Sequence, residues 1–110
     1  MDYMFSRCSS LTSLDLSGWN TTKVISMTGI FYNCTSLETI NCDGLQLPNI
    51  NLGNIRLDYC TKLTVESLVE LLNALPQSDK GYSFQIGSGN IAKLSDEQKA
   101  IATNRGWTLI

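Results

Sequence analysis

The sequence predicts a right-handed α/β solenoid, in which similar units stack through short parallel strands. Three observations carry this prediction. Cysteines stand at positions 8, 34 and 60, a constant pitch of 26 residues. The segments LTSLDL and LETINC, which follow the first two cysteines, alternate apolar and polar residues as half-buried strands do. Towards the C-terminus, strand-like and helix-like segments alternate at short spacing, which favours right-handed crossovers and a parallel sheet.

The 26-residue period extends well beyond the cysteines. We divide the chain into unit 1 (residues 4–29), unit 2 (30–55) and unit 3 (56–81), and the same residue types recur at fixed offsets. The matching sets are Phe5, Phe31 and Leu57; Ser9, Thr35 and Thr61; Leu11, Leu37 and Leu63; and, in units 1 and 2, Leu14 with Ile40, Leu16 with Cys42, Gly18 with Gly44 and Val24 with Ile50. A period of this length lies in the range of leucine-rich repeats. Because one unit cannot bury its apolar side alone, stacked units should share a core in which equivalent residues form ladders.

Cys8, Cys34 and Cys60 are interpreted as small packing residues of one such ladder. A structural zinc site needs close cysteine pairs or histidines, yet the chain has no histidine, and seven residues separate its nearest cysteine pair, Cys34 and Cys42. A disulfide between adjacent units is the remaining alternative, because the spacing of stacked strands overlaps the permitted Cα separation. The sequence therefore predicts buried, reduced and stacked cysteines, with no metal and no cofactor.

Individual elements follow from local patterns. Strands are predicted near residues 13–16, 39–42, 54–58, 83–87 and 107–110, and helices near 64–75 and 95–104. In the first strand Leu14 and Leu16 should point inward, with Ser13 and Asp15 outward. Unit 3 differs from its predecessors, since LGNIRLDYCTKL places the strand before the cysteine instead of after it.

The predicted helices have recognisable ends. Thr64 is a suitable N-cap for the first, and Pro76 stops it. For the second, Ser95 is the N-cap, with Glu97 and Gln98 close behind for a capping box, and Gly106 ends the helix. The glycine-rich GSGN at residues 87–90 lacks the lysine and spacing of a phosphate loop and is interpreted as a turn leaving a strand.

Composition excludes several classes of function. Eight Lys and Arg against ten Asp and Glu leave no cationic cluster of the kind that binds nucleic acid. No apolar stretch reaches the roughly 18 residues that a membrane helix needs, and MDYMFSRCSS does not have the pattern of a secretory signal. Since the chain starts inside a repeat, we expect a fragment of a longer parent whose export signal, if any, lies upstream.

The stretch MFSRCSSLTSLDLSGWNTTKVISMTGIFYNCTSL resembles the BspA-like leucine-rich repeats of bacterial surface proteins, also described from mycoplasma lipoprotein-associated repeats. The resemblance covers residues 1–63 and departs from the family pattern at DGLQLPNINLGNI. Residues 64–110 are similar to the C-terminal cap that follows such repeats in proteins of gut bacteria and their phages. The resemblance implies an adhesin-like protein that is displayed on the cell surface or secreted as part of a longer parent, and it implies no shared active site.

The residues themselves do not form a catalytic set. Without histidine, the usual activation of a serine or cysteine nucleophile is missing. Asp15 and Asp43 are interpreted as solvated surface residues, and Glu66 with Glu70 as an ordinary i, i+4 pair on the exposed side of a helix. We therefore expect no enzymatic activity.

A binding role is the preferred expectation, because stacked units present an extended surface to a protein or glycan. The candidate binding face consists of Ser13, Asp15, Thr39, Asn41, Arg56, Asp58, Trp19 and Tyr32. Trp19 has a second interpretation, as a cover over the open end of the core. The alternative function is a purely structural C-terminal cap of a larger surface or phage structural protein. Self-association through the N-terminal edge is also expected, since Met4, Phe5, Leu11 and Leu14 would leave an uncovered apolar face.

Overall fold

The described residues form two pairs of short parallel strands and three helices. The computed structural model describes residues 4–20, 22–23, 25–26, 29–45 and 56–110. The predicted match of Val24 with Ile50 and residues 54–55 of the third predicted strand lie outside these ranges. In chain order the elements are β1 (Ser13–Asp15), β2 (Thr39–Asn41), α1 (Val65–Ala74), β3 (Ser83–Phe84), α2 (Ser88–Ile91), α3 (Asp96–Thr103) and β4 (Thr108–Leu109).

Strands β1 and β2 pair in the register that the sequence period predicts. They are parallel, and Ser13 lies opposite Thr39, the residue 26 positions later. Leu16 is 1% exposed and Leu14 is half-buried, whereas Ser13 and Asp15 are exposed. The inward and outward faces of β1 are therefore as predicted.

The segments ahead of the first two cysteines also stack. The Phe5 amide donates to the Ile30 carbonyl (3.0 Å), and the Phe5 and Phe31 rings lie nearly parallel with centroids 6.3 Å apart. Arg7 and Asn33, which are equivalent positions, both adopt positive φ angles of about 60°. Units 1 and 2 thus share a backbone conformation at this position, and the stacking of Phe5 on Phe31 is confirmed.

Unit 3 differs in the way its sequence suggested. Within residues 56–58, the described part of its predicted strand, there is a parallel bridge between Arg56 and Gln85, and the Leu57 amide donates to the Gln85 carbonyl at 2.8 Å. Strand β3 in turn pairs in parallel with β4, so that this sheet follows chain order. The predicted strands 83–87 and 107–110 are longer than the observed ones, because β3 covers only Ser83–Phe84 and β4 only Thr108–Leu109.

The two predicted helices are confirmed. The Thr64 hydroxyl accepts the Ser67 amide at the start of α1, and Ser95 and Gln98 form a complete capping box at the start of α3. The GSGN segment, however, is not a simple turn, since residues Ser88–Ile91 form the short helix α2. Gly87 before it has a φ of +87°, and an added Cβ would lie 3.0 Å from Asp58 Cα. Glycine therefore lets α2 lie directly against unit 3.

One continuous core runs through the described residues. Its buried members include the ladder residues of units 2 and 3, namely Phe31, Cys34, Leu37, Ile40, Leu57, Cys60 and Leu63, together with residues of the C-terminal part, namely Leu68, Leu72, Phe84, Ile86, Ala102 and Trp107. The unit 1 ladder is different, because Phe5, Cys8 and Leu11 are only partly buried. The expectation that Cys8 is buried is thus wrong, since no further unit covers its outer side within the described residues.

Candidate binding groove

An open groove lies between the β1–β2 pair and helix α1. Its volume is about 460 Å³. Four residues of the predicted binding face line it: Ser13, Asp15, Thr39 and Asn41. Their side chains meet here because alternate residues of a strand point to one face and the 26-residue register places equivalent residues side by side. The structure thus brings half of the predicted face together.

The other wall of the groove was not anticipated. It is formed by four residues of α1 and its N-cap: Thr64, Glu66, Ser67 and Glu70. The helical spacing of the leucines at 68, 71, 72 and 75 predicts which side of α1 enters the core, and Glu66 and Glu70 were expected on the exposed side. Periodicity does not reveal that this polar side faces a neighbouring strand.

Two side chains of α1 close the free edge of β2. The Ile40 amide donates to Ser67 Oγ and the Cys42 amide donates to Glu70 Oε2, both at 2.9 Å. Just before the helix, the Thr64 amide donates to the Glu38 carbonyl, also at 2.9 Å. Helix α1 therefore takes the place that a further strand would occupy. Glu70, interpreted from the sequence as an ordinary surface residue, is a half-buried backbone partner.

The groove is acidic. Its lining includes Asp15, Glu66 and Glu70, and none of the described residues that line it is a lysine or arginine. The Ser17 hydroxyl and amide both donate to Asp15 and hold the pKa of that carboxyl below its usual value. A smaller cavity of about 280 Å³ shares Glu70 with the groove and is also lined by Asp43. Even so, no group of three or more His, Cys, Asp or Glu side chains among the described residues is arranged to hold a metal ion.

The rest of the predicted face does not line the groove. Arg56 and Asp58 form an ion pair with a 2.8 Å contact. They lie beside Tyr59, over which the Arg56 guanidinium stands 5.9 Å from the ring centroid. Tyr32 meets Tyr59 edge to face at 5.4 Å. Arg56 forms its parallel bridge with Gln85, the residue that follows β3, and not with β1 or β2.

Trp19 also lies outside the groove. It is 40% exposed, and its ring is 6.1 Å from that of Phe5 in a tilted arrangement. Trp19 therefore covers one side of the Phe5 ring, in keeping with the second interpretation given above, while leaving much of its own surface open.

The cysteine ladder carries hydrogen bonds as well as packing. The Cys34 thiol donates to the Phe5 carbonyl (2.9 Å), and the Cys60 thiol donates to the Phe31 carbonyl (3.4 Å). Each thiol thus reaches back to the equivalent carbonyl of the preceding unit. All four cysteines are free thiols. Burial raises the pKa of Cys34, and raises those of Cys42 and Cys60 to about 12, with a further contribution from Glu70 at Cys42.

These environments predict the order of thiol reactivity. At pH 7, Cys8 should be labelled by a maleimide well before Cys34, Cys42 and Cys60, because only the thiolate attacks and the other three thiols are buried. At pH 9, Cys42 and Cys60 should remain slow, since groups with a pKa of about 12 are still protonated there. Mass spectrometry of the labelled peptides measures the order. Unfolding in guanidinium should make all four cysteines react at similar rates. Labelling of Cys34 as fast as Cys8 in the native protein would contradict the burial described.

Comparison with known proteins gives one result. Residues 1–54 match the model of the family described as "Mycoplasma protein of unknown function, DUF285". The match covers nearly all of units 1 and 2 and stops before the C-terminal helices. It is consistent with a mycoplasma-type surface family. No curated protein and no solved structure matches the chain. Within the described ranges, no helix combines the length and apolarity that crossing a bilayer requires.

Proposed function

We propose that this chain is a non-enzymatic leucine-rich repeat module of a bacterial surface protein and binds a protein or glycan. The observation that carries the proposal is the open groove, where four outward strand residues converge with the polar side of α1. Hydroxyl, amide and carboxylate groups line it, and these donors and acceptors suit sugar hydroxyls or a polar peptide segment. The binding site is the groove alone, without Arg56, Asp58, Tyr32 and Trp19.

The architecture proposed with this function is a right-handed solenoid of BspA-like type. Residues 1–63 are its repeat units, and residues 64–110 are a helix-and-strand cap. The 26-residue strand register and the equivalent positive φ angles of Arg7 and Asn33 support stacked repeats. The family match to residues 1–54 is consistent with repeat units of a mycoplasma-type surface family. The module belongs to a longer parent that is displayed on the cell surface or secreted.

The test is a binding screen with a variant that fills the groove. The chain is applied to a printed glycan array and to a panel of extracellular-matrix proteins. Thr39→Arg places a long side chain at an exposed position in the groove, whereas Thr61→Arg makes the same change at an exposed position outside it. We expect a partner that Thr39→Arg weakens at least about tenfold, a loss of about 1.4 kcal/mol, and that Thr61→Arg leaves unchanged. Equal weakening by both variants would contradict binding in the groove.

A purely structural cap with no ligand of its own is the second candidate. It is favoured by a specific observation, the closure of the β2 edge by Ser67 and Glu70. An unpaired strand edge is a template for unwanted pairing, and covering it with a helix removes that hazard. This function predicts that the chain binds nothing on the glycan array or on the panel of extracellular-matrix proteins.

The edge closure can be measured separately. Glu70→Ala should lower the free energy of unfolding by about 1 kcal/mol, because the Cys42 amide loses its acceptor. Hydrogen exchange of the Cys42 amide should accelerate. Glu70→Gln is the matched control, since its side-chain carbonyl can still accept a hydrogen bond from the Cys42 amide. Its free energy of unfolding and its Cys42 exchange rate should stay near those of the unsubstituted protein. If Glu70→Ala leaves both stability and exchange unchanged, the helix does not close the edge.

A further inference from the structure

We infer that Tyr59 and the ion pair beside it form a second binding site, which takes a neutral hexopyranose at the end of a glycan chain. We call this site the Tyr59 platform and define it by Tyr32, Arg56, Asp58 and Tyr59. These residues lie outside the groove and take no part in the function proposed for it, so the inference does not rest on that function. It follows from an exposed ring, a charge-balanced ion pair and a fixed backbone.

The ring of Tyr59 is the centre of the platform. Tyr59 is 43% exposed, and the half-buried ring of Tyr32 meets it edge to face at an interplanar angle of 84°. An aromatic ring is similar in size to a pyranose, and the partial positive charge of the sugar C–H bonds suits the negative face of the ring. Neither phenol hydroxyl has a hydrogen-bond partner in the described part of the chain. Both hydroxyls can therefore donate to a sugar or accept from it.

The ion pair supplies further donors and acceptors next to this ring. Arg56 donates twice to Asp58, from Nε to Oδ1 (3.2 Å) and from Nη2 to Oδ2 (2.8 Å). A guanidinium carries more N–H groups than these two contacts use, and the carboxylate keeps further acceptor sites. The Arg56 side chain is 37% exposed and that of Asp58 is 19% exposed, so both reach solvent. Donors and acceptors that lie side by side match neighbouring sugar hydroxyls, each of which can donate and accept.

The balance of charge selects a neutral ligand. An anion attracted by Arg56 is repelled by the Asp58 carboxylate, which lies 2.8 Å from the guanidinium, and for a cation the two effects are exchanged. The hydrogen bond with Asp58 is the main cause that raises the pKa of Arg56, and Tyr59 and Tyr32 contribute, so the guanidinium stays charged with both phenols near it. Neutral sugar hydroxyls gain from both members of the pair, because hydrogen bonds to ionised groups are stronger than those between neutral groups.

The backbone beneath the platform is held independently of any ligand. The Cys60 amide donates to the Leu57 carbonyl at 2.8 Å and closes a turn whose two central residues are Asp58 and Tyr59. Leu57 and Cys60, on either side of these two, are completely buried. A site that is already rigid loses little conformational entropy on binding. This matters for a ligand as small as one sugar ring, which makes few contacts.

The test is nuclear magnetic resonance of the whole chain with methyl β-D-glucopyranoside, whose methyl group stands for the rest of a glycan. We expect saturation transfer to the sugar ring protons and a Kd of about 1 mM, as suits a ligand of this size. Tyr59→Ala should weaken binding at least about tenfold, whereas Tyr59→Phe, which keeps the ring, should stay within about threefold. Trp19→Ala is the matched control and should leave the Kd unchanged, since Trp19 is similarly exposed, at 40%, but lies outside the platform.

A charged probe tests the preference for a neutral ligand. Methyl β-D-glucuronide has the same ring with a carboxylate in place of the hydroxymethyl group, and it should bind at least about fivefold more weakly than the glucoside. Asp58→Asn keeps the size of the side chain and removes its charge. In this variant the order of the two probes should reverse, because the carboxylate of the glucuronide can then pair with Arg56.

Three results would overturn the inference. One is the absence of saturation transfer at about 30 mM glucoside, well above the expected Kd. The second is equal weakening by Tyr59→Ala and Trp19→Ala while the core amide resonances show both variants folded. The third is tighter binding of the glucuronide than of the glucoside by the unsubstituted chain, which would make the platform an anion site.

The amide resonances also separate the platform from the groove. Glucoside should shift the amides of Asp58 and Tyr59 and leave those of Ser13 and Thr39 unchanged. Shifts at Ser13 and Thr39 instead would place the sugar in the groove, a result that contradicts the platform while supporting the proposed function.

Discussion

Replacing Trp107 with alanine will lower the free energy of unfolding by about 3–5 kcal/mol, the usual cost of removing a large buried aromatic. Trp107 is 2% exposed, and its ring lies 5.6 Å from Tyr82 and 6.4 Å from Phe84. Its indole nitrogen also donates to the Pro76 carbonyl at 2.8 Å. A single side chain therefore joins β4 to β3 and to the segment that follows α1. Since domains of this size are stable by only about 5–15 kcal/mol, this loss threatens the whole fold.

The chain's other tryptophan provides the matched control. Trp19 is 40% exposed and contacts Phe5 at the edge of unit 1, so Trp19→Ala should cost less than about 1 kcal/mol. Urea unfolding followed by far-UV circular dichroism compares the two without depending on which tryptophan remains. Trp107→Phe should fall between them, since it keeps a ring but leaves the Pro76 carbonyl without its donor. Equal losses for Trp107→Ala and Trp19→Ala would mean that Trp107 is not the centre of the C-terminal core.

The repeat units could be predicted in some detail because their signals are local and occur twice. Alternation in LTSLDL fixed the inward face of β1, and the 26-residue offset fixed its register with β2. Helix caps at Thr64 and Ser95 were equally visible, since a cap depends on residues three or four positions apart. Such features need no knowledge of what packs against them.

The features that were missed depend on contacts between distant segments. Glu70 has the sequence environment of a solvated helix residue, and only the approach of α1 to β2 makes it the partner of the Cys42 amide. Cys8 has the sequence environment of Cys34, and only the absence of a covering unit among the described residues leaves it partly exposed. The GSGN segment was too short for periodicity to separate a turn from a helix. Predicting the groove would have required knowledge of both of its walls, and the sequence indicated only the wall formed by the strands.

The side chain of Asn90 contacts three backbone carbonyls at the C-terminal side of the cysteine ladder. It is 3% exposed, and its side-chain amide donates to the Ile86 carbonyl at 2.9 Å. The same nitrogen donates to the Leu57 carbonyl (3.2 Å) and the Cys60 carbonyl (3.3 Å). Leu57 occupies the ladder position of Phe5 and Phe31, whose carbonyls accept from cysteine thiols. Asn90 therefore donates to the ladder carbonyl of unit 3, as cysteine thiols donate to the equivalent carbonyls of units 1 and 2. This contact connects α2 to the ladder.

Asn90→Asp should consequently be far more damaging than its size suggests, with a loss of about 3 kcal/mol at pH 7. The change is nearly isosteric, but it replaces an amide donor by a carboxylate oxygen that faces three carbonyls. Lys93, whose ammonium lies 3.1 Å from Asn90 Oδ1, offsets only part of this cost because it contacts the other oxygen. Asn90→Ala removes the same donor without adding charge, and it should cost about 2 kcal/mol. At an exposed site, Asn20→Asp should have little effect, since the Asn20 oxygen only accepts from Thr22.

The pH dependence of Asn90→Asp distinguishes charge from lost hydrogen bonding. Burial among carbonyls raises the pKa of the new carboxyl in the folded state above its unfolded value of about 3.9. The folded variant then binds more protons than the unfolded chain between the two values, so its stability falls as pH rises through that window. Urea unfolding should therefore give Asn90→Asp a free energy of unfolding close to that of Asn90→Ala at pH 4. At pH 7 its free energy of unfolding should be lower than that of Asn90→Ala. If Asn90→Asp matches the unsubstituted protein at pH 7, or if its gap to Asn90→Ala is the same at both pH values, the three carbonyl contacts do not hold α2 to the ladder.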